Sequence, residues 1–288
     1  MNLPHLAQRL FNTPLALHPQ KAEVVMAAMM DRFGITRINT LASDWLGDDD
    51  CFTRKAKKQD QDNGYDVVDS VAIIPVQGTL VQKLGSLRPY SGMTGYDGIR
   101  QSFLTAMNDP EVSGICLDID SPGGEVAGCF DLVDEIYHAR GSKPIHAILT
   151  ENAYSAAYAI ASAADSIHVP RTGGVGSIGV IVIHCDWSQR IKEDGLAVSI
   201  ITYGDRKAES NPYVKLTDQA RAAIQDDVDA MGRLFVSTVS RNRGITEKTI
   251  RNTQAACFLA ADGVGLGLAD AVMTPDAAFR KLLNEAGA

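Results

Sequence analysis

The stretch SGICLDIDSPGGEVAGCFDLVDEIYHAR, residues 113–140, decides how the fold is read. Its first eight residues are an apolar, β-branched run that predicts a strand ending at Asp120. Ser121-Pro122-Gly123-Gly124 then turns the chain, and a helix is expected from about Glu125. The same alternation spreads outward in both directions. SVAIIPVQGTLV (70–81) reads as a strand with a turn, GYDGIRQSFLTAMND (95–109) as a helix and KPIHAILT (143–150) as a strand. Further on, DSIHVP (165–170), IGVIVIHCD (178–186) and AVSIITYG (197–204) read as strands, and DWSQRIKEDG (186–195) as a helix. A long helix is expected over 217–244, with shorter ones over 246–254 and 275–287. Apolar strands alternating with helices predict an α/β fold with a mostly parallel sheet and packed helices.

The first 65 residues read differently. HPQKAEVVMAAMMDRFG (18–34) carries Val24, Val25, Ala28 and Met29 at helical spacing, as in an arm or a pro-segment. DDDCFTRKAKKQDQDNGYD (48–66) is charged and amide-rich, which predicts a linker and exposure around Asp60. A boundary is therefore expected near Tyr65. That leaves 1–65 as arm and linker, 66–275 as the main domain and 276–288 as a terminal helix.

Of the 288 residues, 45% are hydrophobic and 22% charged, a soluble globular composition. A net charge of −8 argues against nucleic acid as a partner. No apolar run reaches about 18 residues, so no membrane anchor is expected. The five cysteines, Cys51, Cys116, Cys129, Cys185 and Cys257, form no CxxC pair and read as buried reduced thiols. No metal site and no cofactor are expected.

Two segments carry candidate chemistry. Gly123 and Gly124 leave backbone amides unobstructed at a strand end, where they could hold an anion or a developing oxyanion; a plain tight turn is the alternative. In ENAYSAAYAIASAAD (151–165), Ser155 opens an alanine-rich helix. It is either a cap, contributing roughly 1 kcal/mol, or a nucleophile in need of a base. The six histidines, His5, His18, His138, His146, His168 and His184, show no triad context and read as structural. A lysine serves as base when an apolar pocket disfavours its charged form. Lys207, 52 residues beyond Ser155 in ITYGDRKAESNPYVKLT, is the candidate, with Lys192 and Lys215 as competitors.

The order DSPGG, NAYSAAYAIASAAD, TGGVGSIGVI, YGDRKAESNPY and then ADGVGLGLADAV resembles the signal peptide peptidase A (protease IV) family over about residues 67–275. The resemblance implies serine proteases with a Ser–Lys dyad on a Clp-protease/crotonase-like fold. It places the nucleophile on Ser155, the general base on Lys207 and the lysine-orienting hydroxyl on Ser177. It places oxyanion donors on Gly123 and Gly124, and geometry adds the Ala156 amide. The opening LFNTPLALHPQKAEVVMAAM (10–29) is similar to the head-maturation branch of tailed phages. That branch implies a homo-oligomeric ring in the host cytoplasm, associated with the prohead, cutting capsid scaffold, portal or itself. Three other classes stand beside it: a housekeeping protease, a crotonase-like acyl-CoA enzyme using carboxylates such as Glu125, Asp131 or Glu135, and a non-catalytic assembly protein. A glycine- and alanine-lined site implies small or apolar residues at the cleavage point.

Overall fold

The structure is a computed structural model, and it describes residues 14–18 and 62–287. The helix expected over 18–34 and the linker around Asp60 lie outside the described residues, save for the ends of those two stretches.

The backbone of the fold is a sheet whose main path holds five parallel strands. β1 is Leu15–Leu17, β2 Asp66–Val68, β3 Val71–Val81, β4 Met93–Gly95, β5 Gly114–Glu125 and β6 Ile145–Tyr154. β7 is Ser166–Val169, β8 Gly174–Gly176, β9 Cys257–Leu259 and β10 Ala271–Val272. The strand order is β10-β7-β6-β5-β3-β2, parallel except for β2. β4 adds to the far end of β3, β8 to the far end of β6, and β1 runs antiparallel along the end of β5. β5 is buried along nearly all its length because helices cover both faces; the apolar run Gly114–Leu117 lies deepest, and polar Asp118 and Asp120 come only after it.

The helices are α1 Tyr96–Asn108, α2 Cys129–His138, α3 Ala156–Ser162, α4 Ser188–Glu193, α5 Asp218–Arg243, α6 Glu247–Asn252, α7 Ala260–Gly265 and α8 Pro275–Ala286. α1, α2 and α3 share one core with the sheet through Ile99, Phe103, Leu132, Val133, Ile136 and Ile160. All seven residues of α3 are buried, five of them alanine, serine or tyrosine-flanked small side chains that let the helix lie close to the strands. On the opposite face, Ala278 and Leu282 of α8 pack on Val71, Cys116 and Ile148. α5 begins at the Thr217 cap, whose hydroxyl accepts from the Ala220 amide at 3.1 Å, and ends at Gly244 in the left-handed region. Its buried residues, apart from Ala220, fall in the last third.

Three sequence expectations are corrected. Ser121–Glu125 is not a turn: it continues β5, and α2 starts at Cys129 after Gly128 in the left-handed region, not at Glu125. The register of β5 slips against both neighbours here, between Gln77 and Thr79 and between Ile119 and Ser121, so glycines are needed for close approach rather than for reversal. Residues 178–186 and 197–204 form no strand; the first keeps an isolated bridge from Ile181 to Leu15, and 192–207 is exposed throughout. Their apolar patterning is that of a strand, but a strand requires a neighbour to pair with, and the described residues supply none to 197–204. Of the thiols, Cys116 and Cys129 are buried, whereas Cys257 is exposed on the short β9.

Candidate active site

β6 and α3 meet at Ser155, and the junction is sharp. Ser155 has φ 57° and ψ −121°, a conformation that a residue with a Cβ adopts only under constraint. The constraint is visible. Its amide donates to the Gly176 carbonyl at 2.8 Å, and its carbonyl accepts from Ala159 at 2.9 Å as the first helical bond. A serine in the capping position normally turns its hydroxyl onto the helix amides. Ser155 makes no such bond; its Oγ lies 3.5 Å from the Gly179 carbonyl, a marginal contact. The capping reading therefore fails, and an uncapped hydroxyl is left at the start of a helix whose first amides have no intrahelical acceptors.

The Gly176–Gly179 loop wraps this hydroxyl. Ser177 is 5% exposed, has φ 55°, and donates its amide to the Ala256 carbonyl at 2.9 Å. Gly179 donates back to the Ser177 carbonyl at 2.9 Å, closing the loop on Ser155. From the other side comes β5. Gly123 has φ 96°, and a Cβ there would strike the Ala16 carbonyl and lie 2.9 Å from Ser155 Cβ. A Cβ on Gly124 would drive into the Leu80 carbonyl. The Gly123 amide is engaged in this state, donating to Ser121 Oγ at 3.1 Å, and Ser121 Oγ in turn donates to the Gly78 carbonyl at 2.6 Å. Ser155, Ala156, Ser177, Gly123 and Gly124 are thus brought together, all buried.

Lys207 is not brought to them within the chain. It lies in an irregular loop, exposed, with its amide donating to the Gly204 carbonyl at 3.1 Å. Lys192 and Lys215 are exposed as well. Nearby, Leu196, Ile201, Tyr203 and Tyr213 are 64%, 96%, 101% and 51% exposed, an apolar stretch without cover.

One site-shaping residue was missed in the sequence. Arg140 sits just beyond α2 and grips the end of α3: Nε donates to the Ala163 carbonyl at 2.8 Å, and Nη2 to those of Ser162 and Ala164 at 2.8 and 2.6 Å. Nη1 reaches the Asn242 carbonyl at 3.1 Å, and Asn242 Nδ2 donates to Ser162 Oγ at 3.0 Å. A cation at a helix C-terminus meets the negative end of its dipole. Burial pulls the Arg140 guanidinium below its ordinary value, with Asp165 opposing. Nothing in the local sequence marks this arginine, because its partners lie more than twenty residues on. His146 and His168 lie on the other face of the sheet, their rings 5.2 Å apart, with His146 Nε2 2.8 Å from Glu285 Oε2. Among the described residues no cluster of three His, Cys, Asp or Glu side chains is arranged to hold a metal, and no helix is long and apolar enough to cross a membrane.

Ser155 is thus held with positive φ at a strand-to-helix junction on a mostly parallel sheet, beside buried glycines. The chain belongs to Peptidase family S49, whose sequence profile matches residues 138–288. It is 37% identical over 275 residues to Capsid assembly protease C of Escherichia phage lambda, covering 93% of this chain and 63% of that protein. It is 37% identical over 276 residues to the Head-tail preconnector protein GP5 of Enterobacteria phage P21, covering 93% of this chain and 55% of that protein. The chain therefore spans less than two thirds of the length of these relatives. A mutant ClpP1 from Listeria monocytogenes superposes with a TM-score of 0.43 at 12% identity, over 70% of this chain and 90% of that one.

Proposed function

We propose that this chain is a serine endopeptidase that processes proteins of a phage or prophage capsid, with residues 66–275 as the protease unit and 1–65 as arm or pro-segment. The observation that carries the reading is Ser155: a buried serine in a strained conformation, on a strand-to-helix junction, whose hydroxyl makes no capping bond. Membership of a peptidase family and kinship with a protein named as a capsid assembly protease supply the reaction class and the setting.

In this reading Ser155 Oγ attacks a peptide carbonyl while Lys207, neutral, takes its proton. The protonated amine then passes that proton to the leaving amine, and water clears the acyl-enzyme. Ala156, at the orphan-amide end of α3, and the Gly123–Gly124 strand end supply donors to the oxyanion. Gly123 does so once its amide leaves Ser121 Oγ. Ser177, on the loop touching Ser155, orients the lysine. The Lys207 loop reaches this place when its apolar stretch is covered, and a second copy of the chain in a homo-oligomeric ring is the cover we propose. The chemistry calls for no cofactor. Scaffold, portal and the chain itself are the proposed substrates, and the prohead in the host cytoplasm the proposed setting.

The test is co-expression of wild-type, Ser155→Ala and Lys207→Met chains with neighbouring capsid proteins, followed by mass mapping of fragments. Both variants are expected to fold and assemble as the wild type does and to leave every partner intact. Fragments persisting with Ser155→Ala would overturn the assignment.

A further inference from the structure

The antiparallel strand β1 lies along the end of β5, beside Ser155. Leu15 exchanges both of its backbone hydrogen bonds with Ile181, each 2.9 Å. On its other edge Ala16 pairs with Gly124. Two residues either side of that pair, the Val126 amide donates to the Pro14 carbonyl at 3.3 Å and the His18 amide to the Pro122 carbonyl at 2.8 Å. Antiparallel pairing alternates with period two, so Ala16–Gly124 is itself a hydrogen-bonded pair. Residues 14–18 are thus zipped between β5 and the Ile181 segment, the geometry by which sheet edges take up extended peptides.

The strand is aimed at the nucleophile. The Ala16 carbonyl and Ser155 Cβ crowd the same point beside Gly123. The His18 ring packs 4.9 Å from the ring of Tyr154, the residue before Ser155. Leu15 and Ala16 are 4% and 1% exposed, and Ser155 with β1 in place is 1% exposed. β1 and the Gly176–Gly179 loop together cover Ser155.

We infer that Pro14–His18 is a tethered, substrate-like strand lodged in the chain's own peptide groove, with the Ala16–Leu17 peptide presented to Ser155, so that foreign peptides enter only as this strand leaves. The inference rests on the protease reading for its chemistry and on backbone pairing for its geometry. The ligand class follows: an extended peptide with an apolar residue where Leu15 lies and a small one where Ala16 lies. On such a peptide Ser155 Oγ forms an ester with the small residue's carbonyl carbon and the C–N bond to the next residue breaks. The serine proton leaves on the released amine, and water hydrolyses the ester.

The experiment uses the full chain and a fluorescent peptide, Thr-Pro-Leu-Ala-Leu-His, which repeats residues 13–18. In the Ser155→Ala background, anisotropy is expected to show binding at least roughly tenfold tighter when Ala16→Pro is added, because a tethered competitor sits at about millimolar effective concentration. With Ser155 present, Ala16→Pro is expected to raise turnover of a quenched form of the peptide by a similar factor, with the cut between Ala and Leu. Equal binding with and without Ala16→Pro overturns the proposal, as does cutting at another bond. If binding rises but neither form of the chain turns the peptide over, the groove stands and the protease reading falls. If turnover occurs and Ala16→Pro leaves it unchanged, the reverse holds. Should Ala16→Pro fold poorly, Leu15→Cys with Ile181→Cys provides a reversible lock, since facing hydrogen-bonded residues lie at about 5.5 Å, within disulfide reach. Oxidation is expected to silence peptide turnover of the double variant and reduction to restore it, while the turnover of each single variant, whatever its level, does not change between oxidised and reduced states; an oxidised double variant as active as the reduced one sinks the idea.

Discussion

Acidification should destabilise this protein through His168. The side chain is 1% exposed, on β7, and neither ring nitrogen has a hydrogen-bond partner among the described residues. Burial, reinforced by the neighbouring His146 and Lys281 and opposed by Asp270 and Glu285, lowers its pKa from 6.5 to about 4. The folded protein therefore holds this ring neutral while the unfolded chain protonates it. Between those two values the unfolded state binds the extra proton, so stability from this group is complete above pH 6.5 and falls as pH drops toward 4. A gap of about 2.5 pKa units corresponds to about 3 kcal/mol, most of it gone by pH 4.5. Urea unfolding at pH 7.5 and pH 4.5, on wild type and His168→Leu, isolates the contribution, because the other titrating groups act in both proteins. The wild type is expected to lose roughly 2 to 3 kcal/mol more than the variant between the two pH values, read as a midpoint difference of about 1 M or somewhat more. Equal losses would refute the claim that His168 is a neutral, unsatisfied ring in the folded state.

The remaining predictions concern Ser155 and its frame. Ser155→Gly should abolish peptide turnover yet raise the unfolding free energy by about 1 kcal/mol relative to Ser155→Ala, since glycine accepts the left-handed backbone; thermal melts of the two variants check this. Gly124→Ala should lower stability by about 2 kcal/mol or more, because its methyl meets the Leu80 carbonyl and forces β3 and β5 apart; loss of melting temperature is the readout. Arg140→Met should cost about 2–4 kcal/mol by stranding carbonyls of α3 and should lower kcat more than it alters KM, measured by denaturation and steady-state kinetics.

Much of the architecture was legible. Buried parallel strands announce themselves as short, mainly apolar and β-branched runs, so residues 114–119 and 145–149 were readable on local grounds despite Asp118 and His146. The error at Ser121–Glu125 has a physical origin: paired glycines signal freedom, and the same freedom serves a turn or the close approach of two strands. Which one wins depends on Leu80, over forty residues away. Residues 197–204 failed for the opposite reason. Their strand-like pattern is genuine, but pairing is a property of two segments, and the described chain holds no second one. For the site, Ser155, Ala156, Ser177 and the two glycines were readable as an ordered set and do converge. Arg140 and β1 were not, because a guanidinium aimed at distant carbonyls and three residues borrowed by a sheet edge leave no periodic trace.

The bare stretch 192–207 carries one consequence beyond its shape. If the proton acceptor rides on a segment that settles only against another molecule, then dilution disarms the catalyst and local density arms it. Output per chain would climb with the number of neighbours, through mass action alone.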